Sequence, residues 1–167
     1  SWTFPYFDPR NGSWAAWHKQ WGHLGKVDPL GRKRYLSHLM AMDDGIGKIM
    51  DTLKAKGLRD NTLIVFLSDN GGTINTYANN GSLRGYKYMF GEGGIRIPII
   101  VSMPSKLPAN QQKSTIVSSM DLFPTIMNLV GGKVPENLDG KSLLPVLRNQ
   151  PSGQRHHDTL VWDKGKG

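Results

Sequence analysis

Apolar positions follow a helical period between residues 32 and 56. They recur there at steps of three and four residues, which predicts one long amphipathic helix. Gly57 is placed to end this helix, and Gly45 and Gly47 predict close packing within it. The apolar stripe consists of Tyr35, Leu36, Leu39, Met40, Met42, Ile46, Ile49, Met50 and Leu53.

Two shorter runs are apolar on both faces. Residues 62–67 ("TLIVFL") and 97–102 ("IPIIVS") therefore predict strands that are covered on both sides, and a turn at Arg59–Asn61 precedes the first run. The loop between the runs is rich in Gly and Asn and long for a plain connection, which is typical of a functional loop. The order of helix, strand, loop, strand and helix predicts a layered α/β fold.

The remaining predicted elements are short. Residues 122–130 predict a helix with Asp121 as its N-cap and Pro124 in its first turn, and "SLLPVL" predicts one further helical turn. Residues 13–20 predict a short helix, and residues 159–162 predict a short strand.

Three pairs of side chains qualify as metal ligands by residue type alone: Asp43 with Asp44, His18 with His23, and His156 with His157. Adjacent residues on a helix point about 100° apart, so the Asp pair is interpreted as structural. Packing or exposed roles are favoured for the first His pair. The second His pair is adjacent in sequence and forms a weak metal candidate.

Composition narrows the functional classes. The chain of 167 residues has no Cys, which excludes a disulfide framework, a thiolate metal site and a cysteine nucleophile. No apolar run approaches the roughly 20 residues that cross a bilayer, and "SWTFPYFDPR" lacks the pattern of a signal peptide. The net charge of +8 is spread along the chain without a nucleic-acid motif. We therefore expect no nucleic-acid partner and no membrane, while this charge suits an anionic substrate.

Asp69 and Asn70 stand at the carboxyl end of the first predicted strand, where ligands bind in open α/β sheets. Their carboxylate and amide oxygens suit Ca²⁺ or Mg²⁺. Gly71 and Gly72 let the backbone turn away and leave room for an ion. The same residue types also form plain turns, and "SDNGG" taken alone favours the turn.

The next loop, "SLRGYKYMFGEGGIRIP", places Arg84, Lys87, Glu92 and Arg96 among glycines. Glycines let backbone N–H groups approach an oxyanion closely, and a Lys ammonium adds a compact charge with three donors. With this loop following, "SDNGG" is interpreted as half of a metal site.

Four motifs in one order resemble the later part of a type I sulfatase of the arylsulfatase kind, within the alkaline-phosphatase-like superfamily. They are "TLIVFLSDNGG", "NGSLRGYKYMFGEGGIRIPIIVSMP", "SSMDLFPTIMNLVG" and "LDGKSLLPVL", and the resemblance covers about residues 32–148. It implies a layered α/β/α domain with a central, mostly parallel sheet. Residues 1–167 would form a single incomplete domain, the C-terminal portion of such a catalytic domain.

The resemblance also implies roles for individual residues. Asp69 and Asn70 match the pair that completes the divalent metal site, with Ca²⁺ as the expected ion and Mg²⁺ as the alternative. Lys87 matches the Lys that contacts the sulfate group. Glu92 and Arg96 match loop residues and are expected to pair. Asp121 matches a helix start and is expected to act only as a cap.

The nucleophile of the family is a formylglycine made from Cys or Ser in a C/S-x-P-S-R motif. This sequence has neither Cys nor that motif, so no catalytic residue is assigned within it, and the formylglycine is expected in the parent protein. The expected function is that of a sulfuric ester hydrolase fragment, inactive alone, whose complete site needs the rest of the domain or a partner chain.

The expected substrate is an aryl or carbohydrate sulfate, and the resemblance implies a periplasmic, secreted or lysosomal location. Two alternatives stay open. One is a phosphonate or phosphate ester hydrolase of the same superfamily, and the other is a non-catalytic module that binds anions or glycans.

Overall fold

The computed structural model describes residues 30–73, 76–150 and 155–163. These residues form, in chain order, the elements α1 (Gly31–Ala55), β1 (Ile64–Leu67), α2 (Glu92–Ile95), β2 (Ile99–Ser102), α3 (Leu122–Leu129) and α4 (Leu144–Leu147). The presence of both helices and strands confirms the predicted α/β class. The chain divides into two compact units, which are Ser1–Gly57 with Val65–Val101 and Leu58–Ile64 with Ser102–Gly167. The helix predicted at 13–20, His18 and His23 lie outside the described residues.

Helix α1 confirms the prediction for residues 32–56 to within one residue at each end. Gly57 ends it in the left-handed conformation, with a φ of 67°, and its N–H donates to the carbonyl of Lys54 at 3.0 Å. The close packing predicted at Gly45 and Gly47 is wrong, because a Cβ at either position would meet no heavy atom within 4 Å. These two glycines therefore mark open positions on the helix surface.

The apolar stripe of α1 is largely exposed in this chain. Met40 and Ile49 are 68% and 61% exposed, and among the residues of the helix only Gly31 is buried. Periodicity thus predicts the helix correctly without predicting what covers it. No helix in the described part of the chain has both the length and the apolar character that crossing a membrane requires.

Strands β1 and β2 pair in a two-stranded sheet. Both are shorter than predicted. Thr62 is the C-cap of the preceding 3₁₀ turn, Arg59–Asn61, and its hydroxyl donates to the carbonyl of Leu58 at 2.7 Å. β2 begins only after Pro98, which has no N–H to donate to a ladder. The predicted cover on both faces is wrong for β2 in this chain, because Ile100 is 60% exposed.

The second unit has a small apolar core. Leu143 and Leu144 are 2% and 8% exposed, and Met103 and Leu107 are also buried. Helix α4 confirms the single turn predicted for "SLLPVL", and helix α3 packs against it. Pro124 lies in the first turn of α3, as predicted. Its side chain is fully buried.

Residues 155–163 have no regular secondary structure, so the strand predicted at 159–162 is wrong. Side chains of consecutive residues in a strand point to opposite faces. Val161 and Trp162 are 83% and 47% exposed, so neither face would be buried. The strand-forming residue types there therefore do not mark a buried face.

Candidate functional site

The turn after β1 carries Asp69 and Asn70, which are exposed and half-buried respectively. The Ser68 hydroxyl donates to the carbonyl of Asn70 at 2.7 Å, and Asn70 Nδ2 donates to the carbonyl of Gly71 at 3.0 Å. These bonds use the side-chain donors of the turn. The Asp69 carboxylate and Asn70 Oδ1 are then the side-chain oxygens that a hard cation would take.

Gly71 fixes this turn against the second candidate loop. Its N–H donates to the carbonyl of Gly94 at 2.8 Å. A Cβ on Gly71 would lie 1.8 Å from the carbonyl oxygen of Gly93, so no side chain fits there. The two glycine motifs, "SDNGG" and "EGG", thus pack backbone to backbone within the first unit.

Asn80 is a positioning residue that the sequence analysis missed. Gly72 N–H donates to Asn80 Oδ1 at 2.9 Å, and Asn80 Nδ2 donates to the carbonyls of Gly72 at 3.0 Å and Gly85 at 3.1 Å. One amide therefore joins the turn after β1 to the loop that carries Lys87. Its local sequence, "ANNGS", indicates only a turn, because the partners of Asn80 lie on both sides along the chain.

Lys87 is tied to the turn after β1 through its own backbone. Its N–H donates to the carbonyl of Gly72 at 3.2 Å, and its Nζ atom lies 5.5 Å from the centroid of the Tyr88 ring. Tyr88 has a φ of 78°, which is rare for a bulky residue, and its side chain is 77% exposed. The structure thus brings the segment bearing Lys87 to the end of β1.

The rest of the loop is held by contacts between glycines and backbone carbonyls. A Cβ on Gly93 would lie 2.1 Å from the carbonyl oxygen of Gly85, and one on Gly94 would lie 2.1 Å from that of Met89. Glu92 begins the short helix α2 and pairs with Arg96 at 3.4 Å, which confirms the expected pairing. Both side chains are mostly exposed, so the ion pair lies on the surface.

A second cluster lies in the other unit, at the start of α3. The Asp121 side chain is fully buried, and His157 Nε2 lies 2.8 Å from its Oδ1 atom and 3.0 Å from Oδ2. His156 Nε2 lies 3.2 Å from Oδ2. One ligand atom from each of these three residues falls within 4.8 Å of the others, an arrangement that could hold a metal ion.

The expectation that Asp121 acts only as a cap is therefore wrong. Its carboxylate does cap the 3₁₀ turn Ser119–Asp121, accepting from the N–H of Ser118 at 2.8 Å, but makes no cap bond to α3. It also accepts from the N–H of Lys141 at 2.8 Å and faces both imidazoles. The imidazoles come from 35 and 36 residues further along the chain, so no local pattern predicts this cluster.

The surroundings of Asp121 favour its ionised form. Burial raises the pKa of its carboxyl, while the N–H groups of Lys141 and Ser118 and the imidazole of His157 lower it. The balance places the pKa of Asp121 below its ordinary value of 3.8, so the buried group is a carboxylate at neutral pH.

Comparison with known proteins adds a family. A family model described as Sulfatase matches residues 7–132. Arylsulfatase D of Homo sapiens is 38% identical in an alignment of 132 residues, which covers 73% of this chain and 22% of that protein. The chain spans about a fifth to a quarter of the length of the curated relatives it matches.

Solved structures extend the similarity to the fold. Ps i-CgsB in complex with k-i-k-neocarrahexaose has a TM-score of 0.70 and 41% identity, covering 74% of this chain and 28% of that one. BT4656, in complex with its substrate D-glucosamine-2-N,6-O-disulfate, has a TM-score of 0.58 and 32% identity, covering 67% and 22%. Phosphonate monoester hydrolase SpPMH from Silicibacter pomeroyi has a TM-score of 0.54 and 31% identity, covering 68% and 21%.

Proposed function

The chain belongs to the sulfatase family, and we propose that it supplies part of the active centre of a sulfuric ester hydrolase. The observation that carries this proposal is the join at the end of β1. There Asn80 and the backbone of Lys87 hold one loop against the turn that bears Asp69 and Asn70. Two oxygen ligands and a Lys are thereby presented by neighbouring backbone segments of one unit.

We assign a divalent cation, Ca²⁺ with Mg²⁺ as the alternative, to Asp69 and Asn70. The donor set fits, because both side chains offer oxygen and the adjoining glycines leave no bulk beside them. A cation bound there would offset negative charge on the sulfate oxygens. Ca²⁺ takes about six to eight oxygen ligands, so two of them make only part of a site. The remaining ligands would come from other parts of the protein.

Lys87 is the proposed contact for the sulfate group. Its backbone bond to Gly72 fixes where the side chain starts, and a Lys ammonium offers three donors to sulfate oxygens. As the S–O bond to the alcohol breaks, its electron pair goes to the bridging oxygen, and a fixed cationic donor near that oxygen lowers the energy of the developing negative charge. Lys87 would therefore act more strongly on the transition state than on the bound substrate.

The chain contains no residue to which we assign the attack on sulfur. Cys is absent, as is the C/S-x-P-S-R motif from which the formylglycine of the family is made. We therefore expect the 167 residues alone to be inactive towards sulfate esters, and the proposed activity is that of the complete protein. Its substrate class is an aryl or carbohydrate sulfate, and BT4656, with its sulfated sugar substrate, supports the carbohydrate.

The second candidate function is hydrolysis of a phosphonate or phosphate ester. The similarity to phosphonate monoester hydrolase SpPMH favours it, but at a lower identity and TM-score than Ps i-CgsB. Both reactions need a cation and a cationic donor beside a tetrahedral anion, so the parts of the site in this chain serve either reaction.

The test uses the complete protein with matched variants. Sulfate and phosphate esters of the same alcohol are assayed with Asp69→Asn and Lys87→Gln, and with the exposed α1 variants Asp51→Asn and Lys48→Gln as controls of equal charge change. We expect sulfate ester turnover to fall at least about a hundredfold in the two site variants, and to be unchanged in the controls. Asp69→Asn should also need more Ca²⁺ for half-maximal rate.

Two outcomes would overturn the sulfatase proposal. A preference of the wild type for the phosphate ester would support the second function. Binding of sulfated glycans without turnover, lost on neutralising scattered Lys and Arg but unchanged in Asp69→Asn, would indicate a non-catalytic module.

A further inference from the structure

The cluster of Asp121, His156 and His157 takes no part in the proposed sulfate chemistry and calls for its own account. The side chains of both His residues are 7% exposed and that of Asp121 is 0% exposed. The Nε2 atom of each imidazole lies 2.8 to 3.2 Å from a carboxylate oxygen of Asp121. A buried group of this kind is stable only if its charges and lone pairs are matched.

The lone pairs of the carboxylate are divided between two kinds of partner. Oδ1 accepts from Lys141 N–H and Oδ2 from Ser118 N–H, both at 2.8 Å. Each carboxylate oxygen has about two lone pairs, so one on each oxygen is left, and both oxygens face imidazole Nε2 atoms. A lone pair on Nε2 would repel the carboxylate, so a proton or a metal ion must lie between them.

We propose that Asp121, His156 and His157 bind a transition-metal dication, for which Zn²⁺ is the best match. Two imidazole nitrogens and one carboxylate oxygen form a donor set that Zn²⁺ takes at about 2.0–2.1 Å. Tetrahedral ligands at that distance stand about 3.3 Å apart, and the Nε2 atoms of His156 and His157 lie 3.2 and 3.0 Å from Asp121 Oδ2. Small movements of the side chains would admit the ion.

Backbone hydrogen bonds to the Asp121 carboxylate favour a tightly bound metal ion at this cluster. The N–H groups of Ser118 and Lys141 orient the carboxylate from outside, as the outer partners of metal ligands do. The ion would join the 155–163 segment to the start of α3, so it would act as a crosslink between parts of the second unit. Ca²⁺ takes oxygen ligands, so the ion of this cluster differs from that proposed at Asp69.

The test measures Zn²⁺ binding to the complete, metal-stripped protein by competition with a chromophoric chelator, in excess Ca²⁺. We expect stoichiometric binding, and a loss of affinity of at least about tenfold in His156→Gln and in His157→Gln. Asp69→Asn should bind Zn²⁺ as the wild type does. His38→Gln, which changes an exposed His on α1, is the matched control and should also be unaffected.

Asp121→Asn alone would be ambiguous, because Asp121 also holds two backbone N–H groups. His156→Gln avoids this difficulty, since the only hydrogen-bond partner described for the His156 ring is the Asp121 carboxylate. The far-ultraviolet circular dichroism of this variant can be compared with that of the wild type. Anomalous scattering at the zinc edge should place the ion between the two imidazoles. Two results would overturn the proposal in favour of a proton-bridged network. One is an equal Zn²⁺ affinity in the wild type and in the variant that combines His156→Gln with His157→Gln. The other is no binding at micromolar Zn²⁺.

Discussion

Asn80 and Gly72 form a closed pair of hydrogen bonds, in which the Gly72 N–H donates to Asn80 Oδ1 and Asn80 Nδ2 donates to the Gly72 carbonyl, at 2.9 and 3.0 Å. A side-chain amide here takes the place of a neighbouring strand. It fixes both hydrogen-bonding groups of one residue at the end of β1, and its second donated bond reaches Gly85. Residues 78–91, which include Lys87, are thereby held without any regular secondary structure.

Asn80→Asp should destabilise the protein by about 1–3 kcal/mol. The change keeps the acceptor for Gly72 N–H but removes the donor to two carbonyls, and it places a carboxylate beside them. Asn79→Asp is the matched control, because Asn79 acts only as an acceptor for Gly81 N–H in the described hydrogen bonds. Urea unfolding of both variants measures the difference. Equal stabilities would mean that the pair does not hold the loop.

Gly71→Ala should cost more stability than an ordinary surface change, because its Cβ would overlap the carbonyl oxygen of Gly93. We expect a loss of more than about 2 kcal/mol, or a protein that does not fold. Gly45→Ala makes the same substitution where no heavy atom lies within 4 Å, and should stabilise α1 by about 0.5–1 kcal/mol. Thermal melting of the pair tests both signs, and a stable Gly71→Ala would contradict the close approach.

Thr125→Val should lower stability by about 1–3 kcal/mol. Its buried hydroxyl donates to the carbonyl of Asp121 and accepts from the N–H of Leu143 at 2.7 Å. Valine has the same shape but would leave that N–H buried without a partner. Thr125→Ser keeps the hydroxyl and should retain most of the stability. Thr52→Val removes an exposed hydroxyl bond on α1 and should change stability little in comparison.

Arg96→Gln should change the free energy of unfolding by no more than about 0.5 kcal/mol. The pair with Glu92 spans one helical turn, but its two side chains are 66% and 62% exposed, so water and salt screen the attraction. Glu92→Gln should behave alike, and the double variant should show no coupling larger than this. A larger loss in Arg96→Gln would indicate a role outside the ion pair.

The sequence predicts those parts of the fold that depend on local pattern. The period of α1, the stop at Gly57 and the turn before β1 follow from side chains close in the chain. The strands are misjudged at their starts, because the Thr62 side chain caps a turn and Pro98 cannot donate. The strand predicted at 159–162 fails because strand-forming residue types alone do not supply a neighbouring strand to pair with.

The sites divide in the same way. Asp69, Asn70 and Lys87 are proposed from motifs, since their surroundings are built from glycines near them in sequence. The cluster around Asp121 was missed because its three residues are joined only by the folded chain. In the sequence, Asp121 is interpreted as a helix cap and the pair His156–His157 as a weak metal candidate. Neither interpretation indicates that the three side chains meet.

Close contacts at the glycines around Lys87 show which residues of the loop cannot be substituted and which can. The backbone at Gly91, Gly93 and Gly94 is confined by nearby carbonyls, whereas Tyr88, Met89 and Phe90 are 77%, 44% and 54% exposed. Exchanges at those three exposed positions would alter the surface beside Lys87 without moving its attachment. If Lys87 contacts the sulfate group as proposed, the loop provides a constant anchor next to a surface whose variation would change substrate preference.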